Sequence, residues 1–212
     1  MTGAPVFDQV FSEPVGDPET FPGFLLMYHG QQPPAPAPGF PATRLVDHRA
    51  LVAAYGAATF AAIDLALENS ALPHRDAMPE AAYPALFLAR HTLELYLKGL
   101  IPDWGTLKGK QNAHQIDYLA DHLARRINGR YHADHVDILS RFLNRIHAID
   151  PRSAAFRFPD GAEWDFSAAE ISPPEVEFWI NFQALRDSLK QVFEALDKIW
   201  AEAGPAGLRV KD

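Results

Sequence analysis

The sequence predicts an all-α protein, an antiparallel helical bundle of about five helices with a short β-hairpin near 155–171 and an extended proline-rich N-terminal arm. Three observations predict it. Apolar residues recur with a period near 3.6 in five separate stretches, the stretches are joined by short segments rich in Pro, Gly and Asn, and only one region alternates as a strand does. The length of 212 residues, with 48% hydrophobic and 22% charged content, suits one domain with an appendage.

Residues 1–43 form the arm. They carry Asp8, Glu13, Asp17 and Glu19 with no Lys or Arg, and nine of the 18 prolines. Such a stretch is neither a regular helix nor a central strand. Its apolar block, Phe21, Phe24, Leu25, Leu26, Met27 and Tyr28, is too rich for a solvated linker, so it is expected to lie extended on the helical body or on a partner. Residues 44–212 make the bundle. Thr43 is the expected N-cap of a first helix with Leu45, Val52, Tyr55, Phe60, Ile63 and Leu67 at helical spacing, ending near Asn69 and Ser70.

A second helix is expected from about Glu80 to Ile101, with Pro84 in its first turn, Pro102 closing it and Leu86, Leu93, Leu97 and Leu100 as its stripe. Ile116, Leu119 and Leu123 mark a third, ending near Asn128 and Gly129. The fourth runs from about Ala133 to Ile149 on Val136, Leu139, Phe142, Leu143 and Ile146, and Pro151 stops it. Phe156-Arg157-Phe158 and Trp164-Asp165-Phe166 alternate about Pro159-Asp160-Gly161, the pattern of a hairpin. A last helix, capped by Ser172 with Pro173 in its first position, continues to Ala203 and Gly204 on Phe178, Phe182, Leu185, Leu189, Val192, Leu196 and Ile199.

Composition narrows the chemistry. With no cysteine, disulfides, thiolate metal sites and Cys nucleophiles are excluded. No Walker motif, glycine-rich phosphate loop or G-x-S-x-G elbow occurs, so conventional ATPase and hydrolase readings fall away. No window reads as the roughly 20 apolar residues of a bilayer span, and the N-terminus lacks a signal-peptide pattern, so a cytoplasmic location without membrane association is expected. No cofactor is implied. His132 with His135, or His114 with Asp117 and Asp121, offers too few ligands at the spacing of a helical metal motif, and no metal is expected.

The densest polar signal inside an apolar helix is Arg90, His91, Glu94 and Lys98. Arg90, Glu94 and Lys98 follow at i, i+4, i+8 and share one helix face, with His91 three residues before Glu94. This spacing serves a surface salt-bridge ladder, each pair worth about 0.2–0.5 kcal/mol. The alternative is a polar seam between helices that fixes register or lines a pocket. Leu93, Leu95 and Leu97 leave little purely polar face, so Glu94 is expected to be buried against a cation.

The string from Pro84 through Arg90, His91 and Glu94 to Lys98, then His114 with Leu119, then Phe156-Arg157-Phe158-Pro159, resembles bacterial proteins of the HEPN-like superfamily (higher eukaryote and prokaryote nucleotide-binding). The resemblance spans roughly residues 80–200, and the arm has no counterpart in it. It implies an all-α up-and-down bundle, commonly dimeric, found among RNase toxins, phage-defence components and nucleotide-binding modules. The polar seam of Arg90, His91, Glu94, Lys98 and His114 would then form a ligand site. Catalytic members carry Arg, four to six residues, then His, with a polar residue after the Arg. Arg141 and His147 have the interval, but Phe142 follows the Arg, and on a continuous helix the two side chains point about 120° apart. Arg126 and His132 have it too, with Gly129 between them.

Net charge is −8, against indiscriminate nucleic-acid coating. Residues 122–157 nevertheless hold seven arginines against three aspartates. Arg125, Arg126, Arg130, Arg145 and Arg157 are the candidates for contacting RNA or nucleotide phosphates. The same arginines could instead pair with the acidic last helix or arm. The aromatic stripe running through Trp200 and the arm's apolar block both call for cover, which predicts a homodimer. A binding or assembly module is the leading functional expectation, and a metal-independent endoribonuclease using Arg141 and His147 is the alternative.

Overall fold

The chain divides into two units, Met1–Val46 and Asp47–Asp212. The computed structural model describes residues 47–73, 76–101, 114–150, 180–204 and 208, all within the second. The described residues are helical: α1 (His48–Ser70), α2 (Ala82–Leu100), α3 (Ile116–Ile127), α4 (Ala133–Ile149) and α5 (Phe182–Ala203), with a 3-10 turn at Pro79–Ala81. The proline-rich arm and the 155–171 hairpin lie outside the described residues.

Helix ends follow local chemistry. The cap of α1 is Asp47, whose carboxylate accepts from the Arg49 N–H at 2.9 Å, rather than the expected Thr43. Asn181 caps α5 by accepting from the Ala184 N–H at 2.9 Å, so α5 starts at Phe182; the expected cap Ser172 lies outside the described residues. Between α3 and α4 the chain turns at Gly129, whose φ of 71° lies in the left-handed region that a side chain disfavours. The same conformation at Gly204, φ 68°, ends α5.

Helix α2 packs against α1, α3 and α5, and α3 packs against α4. Eleven of the 19 residues of α2 are therefore buried, and its charged residues have no water-facing side to occupy. Leu93, Leu97, Leu100 and Ile101 meet Ile116, Leu119, Leu123 and Ile127 in one core that also takes Leu189, Phe193 and Leu196 from α5. Burying each such side chain is worth about 1.5–3 kcal/mol, far more than one surface ion pair.

Helix α1 is apolar all round. Its mean hydropathy reaches 1.7 over 18 residues, so by length and composition it could cross a membrane. That corrects the expectation that no window comes close, because alanines carry the hydropathy without forming a stripe of large residues. Here Val52, Gly56, Thr59, Ile63, Ala66 and Asn69 make its buried face. The start of α1 meets the end of α2, where His48 Nε2–H donates to the Leu95 carbonyl at 2.9 Å. Lower down, the hydroxyls of Thr59 and Thr92 lie 2.9 Å apart in the core. Thr59 gives its only hydroxyl proton to the Tyr55 carbonyl, so Thr92 is the donor of the pair.

Candidate functional site

Four charged side chains lie buried where α2 meets the segments leading into α3 and out of α4. Arg90, 1% exposed, spans the cluster. Its Nη1 is 3.1 Å from Glu94 Oε2, its Nη2 donates to the His114 carbonyl at 3.1 Å, and its Nε lies 3.3 Å from the carbonyl and 3.4 Å from Oδ2 of Asp150. Lys98 Nζ contacts Glu94 Oε1 at 2.6 Å, and His114 Nδ1 reaches the same oxygen at 2.8 Å.

Charge balance explains how the group tolerates burial. Arg90 and Lys98 match Glu94 and Asp150, and Glu94 accepts from both cations and from His114. Burial alone would raise the Glu94 carboxyl, but the hydrogen bonds from Lys98 and His114 and the positive charges of Lys98 and Arg90 outweigh it and hold the group below its ordinary value. The cluster joins residues of α2 to His114 before α3 and to Asp150 after α4. It is a seam between helices, not a surface ladder.

His91 does not join it. Its ring stacks on Phe87 at 5.8 Å and meets Tyr55 edge-on at 4.8 Å. Desolvation lowers its pKa; Glu94 opposes this, while Lys98 and Arg90 reinforce it. The helical step of one residue from Arg90 turns His91 toward α1, and that overrides its i+3 spacing to Glu94.

Asp150 is the member that the sequence reading missed. Its signal was available. A carboxylate at a helix C-terminus opposes the helix dipole and calls for a nearby cation. Asp117 and His147 form a second pair beside the seam, with Nε2 3.3 Å from Oδ2. The other ring nitrogen of His147, Nδ1, is buried without a hydrogen-bond partner. Burial pushes the His147 pKa down, and the Arg90 charge adds to this against the pull of Asp117 and Asp150.

The candidate catalytic pair is not brought together within α4. The helix is continuous from Ala133 to Ile149, Arg141 lies on its exposed side, and His147 turns inward to Asp117. Arg141 shares its face with Arg145, four residues on. Arg125, Arg130 and Arg145 are exposed. Arg126 is not part of that surface: it is 5% exposed, and its guanidinium donates to the Leu208 carbonyl at 3.2 Å and the His122 carbonyl at 2.9 Å. Arg157 lies outside the described residues. His132 and His135 sit with rings 5.7 Å apart, and no group of three potential metal ligands gathers among the described residues.

No protein-family model, no curated protein and no solved structure matches the chain.

Proposed function

We propose that the chain is a HEPN-like antiparallel bundle that acts as a binding and assembly module, a cytoplasmic homodimer in a bacterial stress or defence setting, with RNA or nucleotide phosphate as its ligand. The observation that carries this reading is the saturation of the buried seam. Arg90 and Lys98 are matched by Glu94 and Asp150, so the seam holds the helices in register, and phosphate recognition falls to the exposed Arg125, Arg130, Arg141 and Arg145. Arginine suits that role because its planar fork meets two phosphate oxygens at once.

Fluorescence anisotropy with labelled single-stranded RNA and with a labelled nucleotide, across a salt series, tests it. Each arginine in contact with a single-strand phosphate contributes about 0.7 to the slope of log affinity against log salt. Arg141→Ala with Arg145→Ala should flatten the slope and weaken binding. Absence of binding to both probes at low salt overturns the proposal.

The endoribonuclease reading has one observation on its side, the unpartnered Nδ1 of His147 close to the Arg90 charge. RNA cleavage that disappears in both Arg141→Ala and His147→Ala would replace the binding module with the enzyme.

A further inference from the structure

One member of the buried seam reaches solvent. The His114 side chain is 73% exposed, while Glu94, which its Nδ1 contacts at 2.8 Å, is 7% exposed. The hydrogen positions at this contact follow from the chemistry of the groups. Glu94 is held in its ionised form by Lys98 and Arg90, and an ionised carboxylate only accepts. A bare Nδ1 would set two lone pairs against each other at 2.8 Å, so Nδ1 carries the proton and donates it to Glu94 Oε1. Lys98 Nζ, 3.2 Å from Nδ1, then gives its hydrogen bond to the carboxylate at 2.6 Å rather than to the ring. In the neutral ring this leaves the lone pair on Nε2.

We propose that Glu94 and His114 form a carboxylate–imidazole pair whose Nε2 accepts a proton from the hydroxyl group of a ligand or of water that meets the exposed ring. The proposal goes beyond phosphate binding by the exposed arginines and rests only on the buried carboxylate behind an exposed imidazole. The step balances simply. The Nε2 lone pair takes the proton, the O–H bonding electrons stay on oxygen, and the positive charge that appears on the ring is stabilised by Glu94, while Nδ1 keeps its proton. Glu94 is the positioning residue, fixing the tautomer and the ring plane. Its burial matters because a carboxylate away from water acts on the ring with little screening.

His132 is an internal control. Its side chain is 70% exposed, and its Nδ1 lies 3.5 Å from Asp134, whose carboxylate is itself 79% exposed. The carboxylate behind His114 is buried and bound by Lys98 and Arg90, whereas the one behind His132 is exposed. Diethyl pyrocarbonate attacks unprotonated imidazole nitrogen, and peptide mass spectrometry of the full chain after brief treatment at mildly alkaline pH, where nucleophilicity and not protonation sets the rate, reads each histidine separately. His114 should be modified several-fold faster than His132. Glu94→Gln should bring it to the His132 rate, and hydrolysis of ethyl dichloroacetate, an ester whose poorer leaving group makes imidazole act on water as a base, should lose more than half of its protein-dependent rate in His114→Asn and none in His132→Asn.

Glu94→Gln removes one of the two carboxylate charges that balance Arg90 and Lys98, so the tautomer is also read in the unsubstituted protein. Nitrogen-15 shifts of the His114 ring should show protonated Nδ1 and bare Nε2. The opposite tautomer, a His114 rate at or below that of His132, or ester hydrolysis unchanged by His114→Asn overturns the proposal. None of these readouts requires RNA or nucleotide. A chain that binds neither probe but passes them refutes the phosphate-binding function alone.

Discussion

Gly99 lies directly beneath the indole of Trp200, so that a β-carbon on the glycine would stand 2.7 Å from Cζ2 of the ring and 2.9 Å from Cδ2 of His48. The close approach joins the ends of three helices, because Trp200 also faces His48 at 5.8 Å and Tyr96 at 6.0 Å. Helix propensity favours alanine here by about 0.5–1 kcal/mol. Overpacking against a ring held on several sides costs about 1–3 kcal/mol and wins. Gly99→Ala should lower the urea midpoint without changing the slope of the transition, and a midpoint at or above that of the parent contradicts the packing.

Glu94→Ala should destabilise by about 3–5 kcal/mol, because it leaves Asp150 as the one seam carboxylate for two buried cations, Arg90 and Lys98. Adding Lys98→Met to Glu94→Ala removes the excess positive charge, because Arg90 keeps Asp150, and should recover part of the loss. Chemical denaturation of the two variants provides the comparison. An additive second loss would show that Lys98 does not depend on Glu94.

His147 and His91 give stability a dependence on pH. Both have pKa values lowered below the ordinary 6.5 in the folded state. The unfolded chain therefore binds the extra protons first, and stability falls as pH drops from 6.5 toward the folded values. Glu94 is lowered from 4.5, so its contribution is intact above that value and is lost as pH falls further. His147→Met removes the buried, unpartnered Nδ1 as well as the titration. Its stability relative to the parent should improve as pH falls below 6.5, measured by denaturant titration at several pH values. A constant difference across that range would mean that His147 does not titrate on unfolding.

Arg126→Gln should weaken the fold without weakening RNA binding. The guanidinium satisfies two carbonyls, and the Leu208 N–H in turn donates to the Leu100 carbonyl at 3.1 Å. Loss of these bonds should speed hydrogen exchange at the Leu208 amide. Arg145→Ala should do the reverse, lowering affinity for RNA with unchanged thermal stability.

The parts of the fold legible in the sequence are those where large apolar residues repeat and a proline or glycine ends the run. Helix α4 is bounded at Ala133 and Ile149 in both readings, and Pro84 falls within the first turn of α2. The cap that starts α5 was not legible, because Asn181 is a single side chain inside a pattern that Phe178 and Phe182 continue. In the seam, the leucines around Glu94 revealed its burial. For Asp150 only its place at a helix C-terminus was legible; the cation that answers it was not, because Arg90 is 60 residues away and proximity of that kind leaves no periodic trace.

The uniform apolarity of α1 has a consequence for how its orientation is chosen. A helix that is greasy on every side gains similar burial at many rotations about its own axis, so hydrophobic free energy alone selects none of them. The shared hydrogen bond of Thr59 and Thr92 penalises every wrong rotation, because each would leave a buried hydroxyl of Thr92 without its acceptor. At the rim, Arg186 Nε on Asp64 at 2.8 Å marks the same angle. Those few polar atoms convert a cylinder with no preferred face into a keyed shaft, and losing the key would yield several coexisting rotations of a helix that is still fully formed.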